Sequence, residues 1–336
     1  MTVYLKKYSA DFEEEFYDRI AANIKEKYKK QIINELNMLT NGNNFTDFKD
    51  LILADHECLQ RFVNDVNACN SEKLNSWNRL QAIKKSNNKE EKKNKEEKKL
   101  LKQEVEIFYK IYNWYDSKIK ELKNNTKLNL EILGKVHVCP YCNRDYINER
   151  DDKYPGGHLD HFFPRSKYPF LSICLYNLIP CCSICNTKKK EKELKISPFM
   201  KADEDSNLKF EFNFINDIWR PTINPVDPNF QCDLNILGLQ KAYIIHQDEL
   251  TMIAKNRERY SKFYEEYLSG IIGVDKDYIK TLVEDLIFGD IQAYDYERFK
   301  NTPLSYLKHQ FYIFLQIHEY IFYALHLPIS LKTFHS

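Results

Sequence analysis

Apolar residues recur at helical spacing through the first third of the chain. Phe12, Phe16, Ile20, Ile24, Tyr28, Ile32 and Leu36 fall every fourth residue, as on one stripe of a helix. Asp11, with Glu14 three residues on, has the form of a capping box, and Gly42 ends the stretch. Phe48, Leu51, Ile52, Leu59, Phe62 and Val66 predict a second helix. From Asn88 to Lys99 the motif Asn-Lys-Glu-Glu-Lys-Lys repeats with almost no apolar content. Ile107, Phe108, Ile111, Tyr115 and Ile119 then restore a stripe between Leu100 and Leu122, so the expectation is one long helix with a solvated first half. Its lysines alternate with glutamates three and four residues away, which is the pattern of an exposed helix and assigns the tract no binding role.

The periodicity then changes. Leu159 to Pro164 reads as a short strand, and Asn177-Leu-Ile-Pro opens a second one. A helix carrying Asn186 follows. Phe210, Phe212 and Phe214 alternate with polar residues as on a strand, and Pro221, Pro225 and Pro228 mark a loop. Helices return from Lys241 to Leu268, ended by Gly270, from Asp275 to Ile287, ended by Gly289, and from Pro303 to Leu325, with Thr302 as cap. Phe311, Phe314 and Phe322 read as core of the last helix. The most apolar stretch, Phe311 to Ile329, is interrupted by Gln316, His318, Glu319 and His326 and closed by Pro328, so it reads as a buried helix rather than a membrane span. The expected fold class is mainly α with an embedded small α+β unit, in three regions: a helical region 1–134, a central unit 135–200 and a mostly helical region 201–336. No solenoid repeat is present.

Composition excludes a disordered adaptor. At 336 residues, with 43% hydrophobic and 14% aromatic residues, the chain can bury at least one full core. Its 50 Lys and Arg nearly balance 49 Asp and Glu, so no overall field points to nucleic acid. Between Lys135 and Lys195, however, eleven Lys and Arg face seven Asp and Glu, which makes the central unit the basic part. Five of the nine cysteines lie there: Cys139, Cys142, Cys181, Cys182 and Cys185. That clustering favours thiolate ligation over disulfides. The opening residues lack an apolar leader, so a reducing cytoplasm is the expected location.

The central unit carries the chemistry. Cys139-Pro-Tyr-Cys142 and Cys182-Ser-Ile-Cys185 are two C-x-x-C pairs about forty residues apart, the spacing that turns four thiolates toward one tetrahedral Zn²⁺. Such a closed site is structural, because it leaves no position for water. Between and just after the pairs stand a carboxylate beside an imidazole, Asp160-His161, and two amides, Asn177 and Asn186, followed by a lysine run. These groups suit a divalent cation, a water and a phosphodiester. His158 and His137 read as surface or packing residues, and Cys174 and Cys181 as small buried apolar ones.

From Val138 to Lys195 the chain resembles the HNH endonuclease superfamily, also called ββα-metal or His-Me finger nucleases. The resemblance rests on C-x-x-C, Asp-His-Phe-Phe-Pro-Arg-Ser-Lys, Tyr-Asn-Leu-Ile-Pro and C-x-x-C-Asn-x-x-Lys. It implies a zinc-stapled ββα-metal core flanked by helical regions. It further implies His161 as general base, Asp160 and Asn186 as ligands of a catalytic Mg²⁺ or Mn²⁺, and Asn177 as the residue that orders the loop. Asn186 stands where many members have histidine. Arg165, Lys167 and Lys189 are the expected phosphate contacts.

The function implied is metal-dependent hydrolysis of DNA. RNA cleavage, or a zinc-stapled binding module that does not cut, are the alternatives. The helical flanks resemble those of bacterial anti-phage defence effectors, which implies an ATPase or other defence-system protein as partner and no membrane.

Overall fold

The computed structural model describes residues 4–22, 24–40, 42, 44–69, 72–85, 94–123, 136–147, 156–200, 209–225, 228–259, 262–288 and 296–317. They are mainly helical, with two small antiparallel sheets. The chain divides into two compact units, Val3–Tyr141 with Asp145–Lys201, and Cys142–Arg144 with Ala202–Ser336.

In the first unit the opening stripe folds as two helices, α1 (Ala10–Ala21) and α2 (Glu26–Thr40). Residues four apart advance about 40° around a helix of 3.6 residues per turn, so seven of them cannot stay on one face. The break at Ala22, whose backbone is extended, lets Phe12, Phe16 and Ile20 on one helix and Ile32 and Leu36 on the other all be buried. The cap of α1 is Ser9 rather than Asp11: its hydroxyl oxygen accepts from the Phe12 N–H at 3.3 Å. The second stretch likewise divides into α3 (Phe48–Ile52) and α4 (His56–Ala68), each opened by an aspartate that accepts from the first turn, Asp47 from Asp50 N at 2.9 Å and Asp55 from Cys58 N at 3.0 Å.

Helix α5 (Glu72–Lys85) follows. The expected long charged helix is two: α6 (Lys95–Glu104) and α7 (Glu106–Lys123), broken at the buried Val105. Residues 86–93, the first part of the Lys/Glu repeat, lie outside the described residues.

Strand β1 (His158–His161) pairs antiparallel with β2 (Leu178–Cys181), with Asp160 opposite Ile179 and His161 opposite Leu178. Helix α8 (Ser183–Lys189) leaves directly from β2. β1 ends at His161, three residues before the expected limit, and two 3₁₀ turns, Pro169–Leu171 and Leu175–Asn177, fill the connection. Phe62, Trp77, Phe108, Phe162 and Phe170 are fully buried here, with Phe170 edge-on to Phe62 at 5.5 Å.

In the second unit, β3 (Lys209–Ile215) and β4 (Ile218–Asn224) form a hairpin through Asn216 and Asp217, both at positive φ as a two-residue type I′ turn requires. Pro221, expected in a loop, lies within β4 opposite Phe212. A two-stranded sheet has only edge strands, so the missing N–H costs no central ladder bond.

The expected helix from Lys241 to Leu268 is three: α10 (Leu239–Ile244), α11 (Gln247–Arg259) and α12 (Lys262–Ile272), preceded by α9 (Pro228–Leu237). Gly270 lies inside α12 rather than ending it. Helices α13 (Lys276–Phe288), α14 (Tyr296–Asn301) and α15 (Ser305–Ile317) complete the unit. Leu304 takes a left-handed conformation between Pro303 and Ser305, so α15 starts after it and Thr302 is not its cap.

Phe212, Trp219, Phe311 and Phe314 form one aromatic cluster, with Phe212 and Phe311 ring centres 4.8 Å apart. Phe322 and the rest of the apolar stretch beyond Ile317 lie outside the described residues. No helix of the described residues is long and apolar enough to cross a membrane.

Candidate functional site

Four cysteines converge. The Sγ atoms of Cys139, Cys142, Cys182 and Cys185 lie within 4.8 Å of one another, and all four residues are buried. A tetrahedral zinc with bonds of about 2.3 Å needs sulfurs about 3.8 Å apart, so the donor set fits Zn²⁺ in number, type and spacing.

Local geometry produces the convergence. Around the first pair, Val138 bridges Tyr146, the Cys139 N–H donates to Asp145 O at 3.0 Å, and Asn143 takes positive φ to close the turn. At the second pair, Cys182 is the N-cap of α8 and its sulfur accepts from the Cys185 N–H at 3.4 Å. Cys181 and Cys174 are buried outside the cluster, and none of the nine cysteines is in a disulfide.

The other predicted residues sit where β1, β2 and α8 meet. Asn177, fully buried, ties the β1–β2 connection to itself. Its Oδ1 accepts from Phe163 N at 2.7 Å, and its Nδ2 donates to Leu171 O at 2.9 Å and Phe163 O at 3.2 Å. An amide is needed there, because the ring of partners requires one acceptor and two donor hydrogens on one short side chain.

That loop also fixes His161. Its Nε2 lies 3.1 Å from the Ser172 carbonyl, which can only accept, so the neutral ring carries its proton on Nε2 and its lone pair on Nδ1. Burial, reinforced by the charge of Arg165, pushes the imidazole down to about 3, with the Ser172 hydrogen bond opposing. The ring is therefore uncharged at neutral pH.

Asp160 is also buried. Tyr141 Oη donates to its Oδ2 at 2.7 Å, and the Lys189 ammonium lies 3.1 Å from Oδ2 and 3.3 Å from Oδ1. Burial raises the carboxyl above its ordinary range, while Lys189 and Tyr141 pull the other way.

Asp160, His161, Arg165 and Asn186 line one polar cleft of about 300 Å³, with Tyr112, Lys190 and Glu191 on its walls. The Arg165 guanidinium stacks 4.5 Å above the Tyr112 ring. Successive strand residues point to opposite faces, but His161 is the last residue of β1, and the chain turns there so that both groups reach the cleft.

Two expected phosphate contacts are placed elsewhere. Lys189 is fully buried, donating to His161 O at 2.6 Å as well as holding Asp160, so it cannot meet a phosphate from solvent. Exposed Lys167 is paired with Glu193 at 2.7 Å and is not among the residues lining the cleft. His158 is exposed at the start of β1, and His137 is exposed too. Tyr141, Ser172 and Tyr112 are the contributors that pattern alone did not mark. Tyr141 could have been noticed as the aromatic inside the first C-x-x-C, but Tyr112 lies on α7, distant in sequence from every motif.

No protein-family model matches the chain, and no solved structure does. One curated relative is protein ea31 of Escherichia phage lambda, 21% identical over 180 residues. The match covers 52% of this chain and 57% of that protein, so the chain spans little more than half of the relative's length. The combination that stands is a mainly helical chain with two small antiparallel sheets and a buried four-cysteine cluster able to hold a metal.

Proposed function

We propose that this chain is an endonuclease of the HNH, or ββα-metal, type, hydrolysing phosphodiester bonds in DNA. The observation that carries this reading is the cleft, where a neutral buried histidine, a carboxylate, an amide and an arginine meet beside a four-thiolate staple. His161, held by the Ser172 carbonyl, presents Nδ1 as the nitrogen that can take a proton from water. Its basicity rises when a phosphate enters, because the anion cancels the repulsion from Arg165. Arg165, propped on Tyr112, can hold a phosphate oxygen in the same cleft.

The Asp160 carboxylate and Asn186 amide are oxygen donors, the set that suits Mg²⁺ or Mn²⁺ retaining several waters. When bound, such a cation supplies charge stabilisation for the phosphoryl group and the departing oxygen. Asn177 and Lys189 act from behind, ordering the loop and the strand end.

One feature favours a second reading, a zinc-stapled module that binds without cutting. The Asp160 carboxylate already has an ammonium and a phenol as partners. A plasmid-nicking assay with Mg²⁺ or Mn²⁺, run beside a labelled RNA, separates the readings. Nicking that is lost in His161→Ala while DNA binding persists supports the nuclease. Binding with no cleavage of either polymer supports the module, and cleavage of RNA alone makes RNA the substrate. A place in a defence system beside an ATPase rests on the resemblance of the helical flanks alone, and co-purification with a neighbouring gene product tests it.

A further inference from the structure

Helices α5, α6 and α7 hold a group of cations against aromatic rings beside the cleft. Lys84 Nζ lies 5.0 Å from the Tyr109 ring centre, 5.2 Å from Tyr112 and 5.8 Å from Trp77. Lys102 Nζ lies 5.0 Å from Tyr109. Arg165 stacks on Tyr112, and both line the cleft, so the group is continuous with it.

Lysines elsewhere on the same unit meet carboxylates: Lys29 with Glu26 at 2.6 Å, Lys110 with Glu106 at 2.6 Å, Lys167 with Glu193 at 2.7 Å. A carboxylate cancels the charge of its partner, whereas a ring attracts an ammonium through its quadrupole and leaves the charge in place. The rings thus fix the ammonium groups without neutralising them. Burial pulls Lys84 below its ordinary value, with Tyr109 opposing and the nearby charges of Lys102, Lys98 and Arg165 adding to the fall.

We propose that Lys84 and Lys102 form, with Arg165, a cationic cradle for the phosphate backbone of duplex DNA entering the cleft, an inference that takes its substrate from the nuclease reading above. A partner with regularly spaced negative charge matches several fixed cations leading to a phosphodiester cleft. A duplex is favoured over a single strand because single-strand sites stack bases on exposed aromatic faces, and here the Tyr109 and Tyr112 faces carry cations. The sequence pattern hid the cradle. Lys102 follows directly on the Lys/Glu-alternating tract, whose pattern is that of a solvated face.

The test is the salt dependence of binding a fluorescent 30-base-pair duplex, measured by anisotropy without added Mg²⁺ or Mn²⁺ and without a chelator, so that no cleavage intervenes and the thiol cluster keeps its metal. Each phosphate contact adds about 0.9 to the slope of log K against log salt. K84Q/K102Q should therefore lower the slope by about 1.8 and weaken binding, while K84R/K102R, which keeps charge and ring contact, should retain the wild-type slope. Unchanged melting of both variants establishes that they fold. A wild-type slope in the Gln variant, or a wild-type chain that does not bind the duplex at low salt, would overturn the cradle. Normal salt-sensitive binding by a chain that never nicks a plasmid keeps the cradle and rejects the nuclease. Nicking by wild type with a slope untouched in the Gln variant does the reverse.

Discussion

Lys189 and Asp160 form a buried ion pair beneath the cleft, with the ammonium 3.1 Å from Oδ2 and 2.6 Å from the His161 carbonyl. One cation thus fixes both a cleft carboxylate and the backbone of the neighbouring imidazole. Removing one member of such a pair leaves an uncompensated buried charge, at a cost of about 3–5 kcal/mol, while replacing both with neutral groups costs much less. Lys189→Met should accordingly lower stability in urea unfolding by that order, and the double variant Lys189→Met with Asp160→Asn should recover part of the loss. Additive destabilisation in the double-mutant cycle would refute the coupling.

The cysteine cluster predicts a metal stoichiometry. Purified protein should contain close to one zinc per chain by elemental analysis. A structural zinc contributes on the order of 10 kcal/mol to small folds, so Cys185→Ser or a strong chelator should unfold at least the β1–β2–α8 unit. A zinc-free chain with unchanged circular dichroism and melting would show that the four thiols act only by packing.

His56 sets an acid limit on stability. It is buried at the start of α4, stacked on Phe163 at 5.6 Å and edge-on to Phe162 at 5.0 Å, and neither ring nitrogen has a hydrogen-bond partner among the described residues. Burial pushes it down to about 4, against the charge of Asp55, which raises it. A group protonated more readily unfolded than folded leaves stability intact above about pH 6.5 and removes it as pH falls toward about 4. The loss attributable to His56 is at most about 3 kcal/mol. His56→Phe should flatten the unfolding free energy across that window, and an unchanged acid limb would assign the effect to other groups.

The cysteine pairs were legible because ligand spacing is a local property of sequence, and so were the two short strands, the first carrying Asp160 and His161 and the second starting just after Asn177. Burial of a charged residue was not. Lys189 sits in a run of three lysines that reads as solvated, and only the placement of α8 against β1 turns this one inward. Helix breaks were lost for a related reason. The stripe from Phe12 to Leu36 marks apolar positions but not the face each must present, and the break at Ala22 follows from a core that exists only after folding. Tyr112 escaped because its link to Arg165 joins α7 to the β1–β2 connection across more than fifty residues.

Asn186 offers the sharpest test of the nuclease reading. It lines the cleft from the first turns of α8, and its main chain is committed to the helix, with its N–H donating to Cys182 O at 3.0 Å and its carbonyl accepting from Lys190 N at 2.9 Å. Truncating the side chain therefore leaves both the cap and the thiol cluster in place. Asn186→Ala should keep zinc content and melting near wild type, yet lower Mg²⁺-dependent nicking by tenfold or more, on the order of the 1.4 kcal/mol or greater loss expected for one missing ligand, with partial recovery at raised Mn²⁺. Asn186→His supplies a nitrogen donor at the same position and should retain activity with a shift toward metals that accept nitrogen. Full nicking by Asn186→Ala at limiting Mg²⁺ would remove this residue from cation binding and leave Asp160, already partnered by Lys189 and Tyr141, as the remaining assigned ligand.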